Sequence, residues 1–218
     1  MVTATSKPVR MDLYRMIFWD FDGVIKESVT VKTDAYYQLF LSYGRDFAAR
    51  VRRHHLQNAG MSRFEKLPLY LSWCGKTPTE ELVAEGCDEF SRLSFQGVVE
   101  APWVPGAEAY IRKNAWNQKF VVVSATPQTE LDVILTRLDI QTCFARVFGA
   151  PVSKKNAIRT ALETNNIPAS ECLMVGDARS DLDAARENRV PFLLRRHPEN
   201  AEIFADYRGA AIRDFLEI

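Results

Sequence analysis

The stretch MIFWDFDGVIKES, residues 16 to 28, decides the reading of this chain. Its apolar opening reads as a buried strand. The strand ends on Asp20 and Asp22, two carboxylates set just before Gly23. Similar short β-branched or aromatic runs recur at 119 to 125 (KFVVVSA), 145 to 149 (ARVFG), 172 to 177 (CLMVGD) and 191 to 194 (PFLL). Amphipathic helical patterns lie between them, such as TELDVILTRL, in which Leu131, Ile134, Leu135 and Leu138 share a face. Apolar strands alternating with amphipathic helices predict an α/β fold with a doubly wound parallel sheet covered on both faces.

The alternation breaks once, after the first strand. TDAYYQLFLSYG and FAARVRRHHLQNAG read as helices ending at Gly44 and Gly60. Ser62 and Glu65 form a capping box for the next helix, and Thr77, Pro78 and Glu80 predict a further start with proline at the first helical position. The expected organisation is therefore a core of residues 1–26 and 102–218, with a helical cap domain at 27–101 inserted after the first strand. APWVPG is the expected return linker, with Trp103 packed there.

Composition narrows the function classes. Twenty-eight basic residues cancel twenty-eight acidic ones, so net charge gives no footprint for nucleic acid or an anionic membrane. The four cysteines form no C-x-x-C pair, and MVTATSKPVRMDLY lacks the apolar centre of a secretory signal. No apolar run approaches the roughly 20 residues that span a bilayer. A cytoplasmic protein with no membrane and no nucleic-acid partner is expected, its oligomeric state left open.

In open parallel sheets, ligands sit beyond the carboxyl ends of the strands. Asp20, Asp22, Ser124 and Asp177 occupy such ends and would converge on one crevice. Several carboxylates in a partly buried site require a compensating cation, and hard oxygen donors favour Mg2+. Lys154, at the start of KKNAIRTALETN, adds a positive group for an anionic substrate, because Ile158 and Leu162 place it on the apolar side of that helix. Lys155 is its competitor. A carboxylate, a divalent cation and a lysine suit phosphoryl transfer.

Four motifs in order, DFDGVI, VVVSAT, GAPVSKKNAI and LMVGDARSD, resemble those of the haloacid dehalogenase superfamily. The resemblance implies that Asp20 is a nucleophile forming an aspartyl-phosphate, and that Asp22 is the acid and base. Asp22 would also face the metal through its backbone carbonyl. Asp20 and Asp177 would be metal ligands, with Asp181 supporting the metal's water shell. Ser124, the N–H of Ala125 and Lys154 would hold phosphoryl oxygens. A carboxylate at Asp22 further implies phosphate esters rather than carbon–halogen bonds, and the insert implies a mobile cap over a small phosphorylated metabolite.

Within the insert, AGMSRFEKL (59 to 67) resembles the G-V-S-R-x-x-S-L stretch of β-phosphoglucomutases, which would make Arg63 a phosphate-binding residue and point to a sugar phosphate. Lys66 departs from that pattern, where serine is expected, and GDARSD is the phosphatase-like form of the acidic motif. The expected activity is a Mg2+-dependent phosphatase. A phosphosugar mutase and a catalytically silent binding module are the alternatives. His54 and His55, beside Arg52 and Arg53, are expected to be solvated.

Overall fold

The computed structural model describes residues 9–216 and 218. The first part of the stretch weighed as a secretory signal therefore lies outside the described residues. Six parallel strands form one sheet in the order β3-β2-β1-β4-β5-β6: β1 (Met16–Trp19), β2 (Lys119–Pro127), β3 (Arg146–Ala150), β4 (Cys172–Gly176), β5 (Phe192–Arg195) and β6 (Ala211–Ile212). The apolar runs account for the first five. The sixth contributes only two residues, too few for a periodicity to show.

Period-two alternation assigns each face of β1. Ile17 and Trp19 join a core cluster with Ile111, Leu131 and Ile134, whereas Met16 and Phe18 join another with Ala157, Ile158 and Ala185. One face is covered by α5 (Ala107–Asn114) and α6 (Gln128–Arg137), the other by α7 (Lys154–Asn165) and α8 (Arg179–Glu187). Both faces being buried explains why the strands read as nearly continuous apolar runs. Trp19, fully buried, packs against Tyr110, Phe120 and Phe215 with ring centroids 5.3–5.9 Å apart. Burial of a large apolar side chain contributes about 1.5–3 kcal/mol.

Four helices intervene between β1 and β2 before α5: α1 (Val29–Leu39), α2 (Arg45–Gln57), α3 (Arg63–Trp73) and α4 (Glu80–Glu100). Ala35, Tyr36, Val51, Leu67, Tyr70 and Phe90 give them their own apolar cluster. The entering and leaving strands of chain run together, with Glu27 N–H donating to Pro102 at 2.8 Å and Val104 N–H to Ile25 at 3.0 Å. Lys26 Nζ lies 4.5 Å over the Trp103 ring there.

Two local expectations are corrected. Thr79, not Thr77, caps α4, its hydroxyl accepting from Leu82 N–H, so Pro78 precedes the helix instead of opening it. His55 is buried rather than solvated: it continues the Ala48–Val51 inward face of α2 one turn further, and the helix period overrides the basic flanking residues. His54, by contrast, is half-buried, its ring bonded to the Tyr70 hydroxyl at 2.9 Å.

Candidate active site

The topology brings the carboxylates together. β1 lies between β2 and β4, in register Trp19↔Val122 and Trp19↔Val175, so the residues that follow β1 and β4 emerge side by side. This is the crevice position of a doubly wound sheet. Asp20 N–H bonds back to Val175, and the chain then turns tightly, with Phe21 carbonyl accepting from Ile25 and Lys26. Gly23, at φ +74°, is needed in that turn: a Cβ there would stand 2.3 Å from Asp177 Oδ2.

Asp20, Asp177 and Asp181 can each offer one carboxylate oxygen, all within 4.8 Å of one another. Lys154 Nζ sits among them, 2.7 Å from Asp20 and 2.6 Å from Asp181. Asp20 is oriented at both oxygens, since Oδ1 accepts the Phe21 N–H at 2.8 Å while Oδ2 faces Lys154. Asp181 is fully buried and also accepts the Ala178 N–H at the start of α8. Lys155, the competitor, points away and pairs with Glu187.

Electrostatics divides these groups. Burial, then the Asp181 charge, pushes Asp20 up to about 7, although Lys154 opposes the shift. Burial likewise raises Asp177 and Asp181, against His197 and Lys154 respectively. Lys154 serves Asp20 and Asp181 and His197 serves Asp177, yet all three carboxyls stay above their ordinary value, so the cluster favours a further positive charge. Asp22 behaves differently. Burial would raise it, but Lys32 Nζ at 2.5 Å and the Ser28 hydroxyl at 2.6 Å outweigh that and hold its carboxyl below the usual range.

The cavity above Asp20 and Asp22 is roofed by the inserted helices. Lys32, Tyr36, His55, Arg63, Lys66 and Phe90 face it, opposite Ala125, Thr126 and Lys154. Ser124 borders the adjoining cleft with Ala125 and Lys154, its hydroxyl accepting from the Thr126 N–H at 3.2 Å. Thr126 is the side chain that reaches the cavity, 2.7 Å from Lys32 Nζ. At Gly60 the roof comes so close to α8 that a Cβ would meet Ser180 Oγ at 1.8 Å.

Arg63 lies at this roof, but its guanidinium is already engaged. Both terminal nitrogens pair with Glu130 of α6, at 2.7 and 2.8 Å, and Ser91 of α4 joins the group. The fork expected to meet a phosphate thus ties the inserted helices to the sheet domain. Burial would raise the Glu130 carboxyl, yet Arg63 outweighs it and leaves it below its ordinary 4.5. A lowered carboxylate pKa stabilises the fold above the ordinary value, and that contribution is lost as pH falls through the lower folded value. Glu130→Gln should therefore cost about 3 kcal/mol near neutral pH, because it strands a buried guanidinium. Melting curves should show the wild-type advantage shrinking as pH falls through the folded Glu130 pKa; an advantage constant into strong acid would refute the pair.

Lys32, His55, Thr126 and His197 belong to none of the motif positions named for the site. Lys32 did carry a signal, falling with Val29, Thr33 and Tyr36 on the inward face of α1. His197 carried none: it follows β5 and meets Asp177 Oδ2 at 2.8 Å, with Glu199 on its other nitrogen. Burial would lower its pKa, but Asp177 and Glu199 together raise it.

The sequence profile of the haloacid dehalogenase-like hydrolases matches residues 14–188. The chain belongs to that family. It is 24% identical over 176 residues, 78% of this chain and 79% of the relative, to a phosphorylated carbohydrates phosphatase of Thermotoga maritima. A β-phosphoglucomutase of Clostridium difficile shares the fold at TM-score 0.73 and 19% identity, over 93% of this chain and 92% of that one. A hydrolase from Pseudomonas syringae does so at TM-score 0.73 and 19% identity, over 94% and 95%. The six-stranded parallel sheet is thus the fold of the haloacid dehalogenase-like hydrolases, as the motifs implied.

Proposed function

We propose that this hydrolase is a phosphatase for small phosphorylated carbohydrates, a phosphoric monoester hydrolase acting through a phosphorylated Asp20. The observation that carries the reading is the Asp20 carboxylate, fixed by Phe21 N–H and Lys154 at the floor of a roofed cavity. The name of the Thermotoga relative supports the carbohydrate class. The phosphatase-like GDARSD form of the acidic motif favours transfer to water over return to the sugar.

Attack by an Asp20 oxygen forms an O–P bond and breaks the bond to the sugar oxygen, which leaves with a proton. Lys154, the backbone N–H of Ala125 and Ser124 beside it would hold the phosphoryl oxygens. Water then attacks the phosphorus, the Asp20 O–P bond breaks to release phosphate and restore the carboxylate, and Asp22 takes the water's proton. The lowered pKa keeps Asp22 in the ionised form a base must start from; holding a proton, whether taken from water or given to the leaving group, requires Lys32 to be drawn off.

The donor set fits a hard divalent cation, since three buried carboxylates each offer an oxygen within 4.8 Å of the others. Asp20, Asp177 and Asp181 would hold Mg2+ together with the Asp22 carbonyl, and the ion would supply charge neutralisation at the phosphoryl group. Residues 27–101 act as the cap, with the paired linkers at Glu27 and Pro102 as its base.

The direct test assays phosphorylated sugars for phosphate release and for isomerised product. With Mg2+, free phosphate is expected; isomerised sugar phosphate in its place would establish the mutase. Excess chelator should abolish turnover and Mg2+ restore it, while Ca2+, with its larger and looser shell, should not. Full turnover in chelator would overturn the metal assignment.

A further inference from the structure

Among the described residues, each cation facing the cavity has an acidic partner except one. Lys154 pairs with Asp20 and Asp181, Lys32 with Asp22, and Arg63 with Glu130. Lys66 is 1% exposed and faces the same cavity, yet among the described residues no carboxylate pairs with it. Its neighbours are His55 Nδ1 at 2.9 Å, the Ala59 carbonyl at 3.4 Å and the Tyr36 ring at 5.6 Å. A buried ammonium without a counter-ion is costly, and a ligand anion relieves that cost.

We propose that Lys66, with His55 beside it, binds a second acidic group on the substrate, so that the preferred phosphorylated carbohydrate carries a carboxylate or a further phosphate on its leaving portion. The inference rests on the phosphatase reading above. The phosphoryl group to be cleaved belongs beside Asp20 and Lys154, on the sheet side of the cavity, where its charge is already met. Lys66 is on the roof, at the start of α3, where only the rest of the substrate reaches. Arg63 cannot take that part without leaving Glu130. Burial and the nearby Lys32 hold the Lys66 ammonium well below its ordinary pKa, a direction that an acidic neighbour would reverse. The lysine is also where the stretch departs from the β-phosphoglucomutase-like pattern, so a cation stands in place of a hydroxyl at a position that lines the cavity.

Calorimetry on Asp20→Asn with Mg2+ separates binding from turnover. The ligands are glucose 6-phosphate, 6-phosphogluconate and glucose 1,6-bisphosphate, with glycerol 3-phosphate and 3-phosphoglycerate as a shorter pair. At least one doubly acidic ligand should bind about tenfold tighter than its singly acidic partner, the scale of a charge-assisted contact. Adding Lys66→Met, or Lys66→Gln should Met perturb melting, should erase that margin. A margin for 6-phosphogluconate or 3-phosphoglycerate only identifies a carboxylate; one for the bisphosphate only identifies a phosphate. Equal affinities within each set, a margin that survives loss of Lys66, or no binding of any doubly acidic ligand overturns the inference. The phosphatase reading fails separately, if the unsubstituted enzyme binds with the margin intact but releases no phosphate.

Discussion

Asp20→Asn should lower kcat by about 10³-fold or more while the protein stays folded, because the amide is isosteric with the carboxylate but a poor nucleophile. The local structure tolerates the change. An amide oxygen can still accept from Phe21 N–H, and Lys154 keeps Asp181 as its partner. The substitution also removes one of three mutually repelling buried carboxylates, so the melting temperature should hold or rise. Phosphate release measured in steady state, beside a melting curve, decides it. A variant retaining a tenth of wild-type turnover would exclude a covalent Asp20 intermediate, and a collapse in melting temperature would show a structural role in its place.

Asp22→Asn should lose about 10²–10⁴-fold in kcat, the usual worth of general acid–base assistance. Its environment says which half of the reaction suffers. Lys32 and Ser28 keep Asp22 ionised, ready to take a proton from water, so the second step should slow most. Phosphorylated enzyme should then accumulate when Asp22→Asn is mixed with a good substrate, and intact-mass measurement should find a phosphate adduct that is absent in Asp20→Asn. A slow variant with no adduct would shift the role of Asp22 to leaving-group protonation in the first step. Substitution also frees the buried Lys32, whose remaining side-chain partner is Thr126, so a melting curve must accompany the kinetics.

The parallel sheet was legible because its strands are buried on both faces. β1 to β5 therefore announce themselves as apolar runs, and only the two-residue β6 escapes. The pair Asp20 and Asp22, with Asp177 and Lys154, was legible for a related reason: strand ends are fixed by the strands, and a helix period picks Lys154 over Lys155. Such features are local, since a few residues determine where each side chain points.

What the inserted helices present to the site was not local. Whether Arg63 meets a ligand or Glu130 depends on how a helix 67 residues away in sequence packs beneath it. Lys32, Lys66 and His55 face the cavity because three helices converge on one small apolar cluster and turn those positions inward. His197 reaches Asp177 only because β5 lies beside β4. The sequence alone carries the sheet, and with it the strand ends at which Asp20, Asp22 and Asp177 stand, through periodicities that each segment holds by itself. The tertiary structure decided which charges are paired in the roof and which one is left, because ion pairing is a property of distances between segments that no single segment encodes.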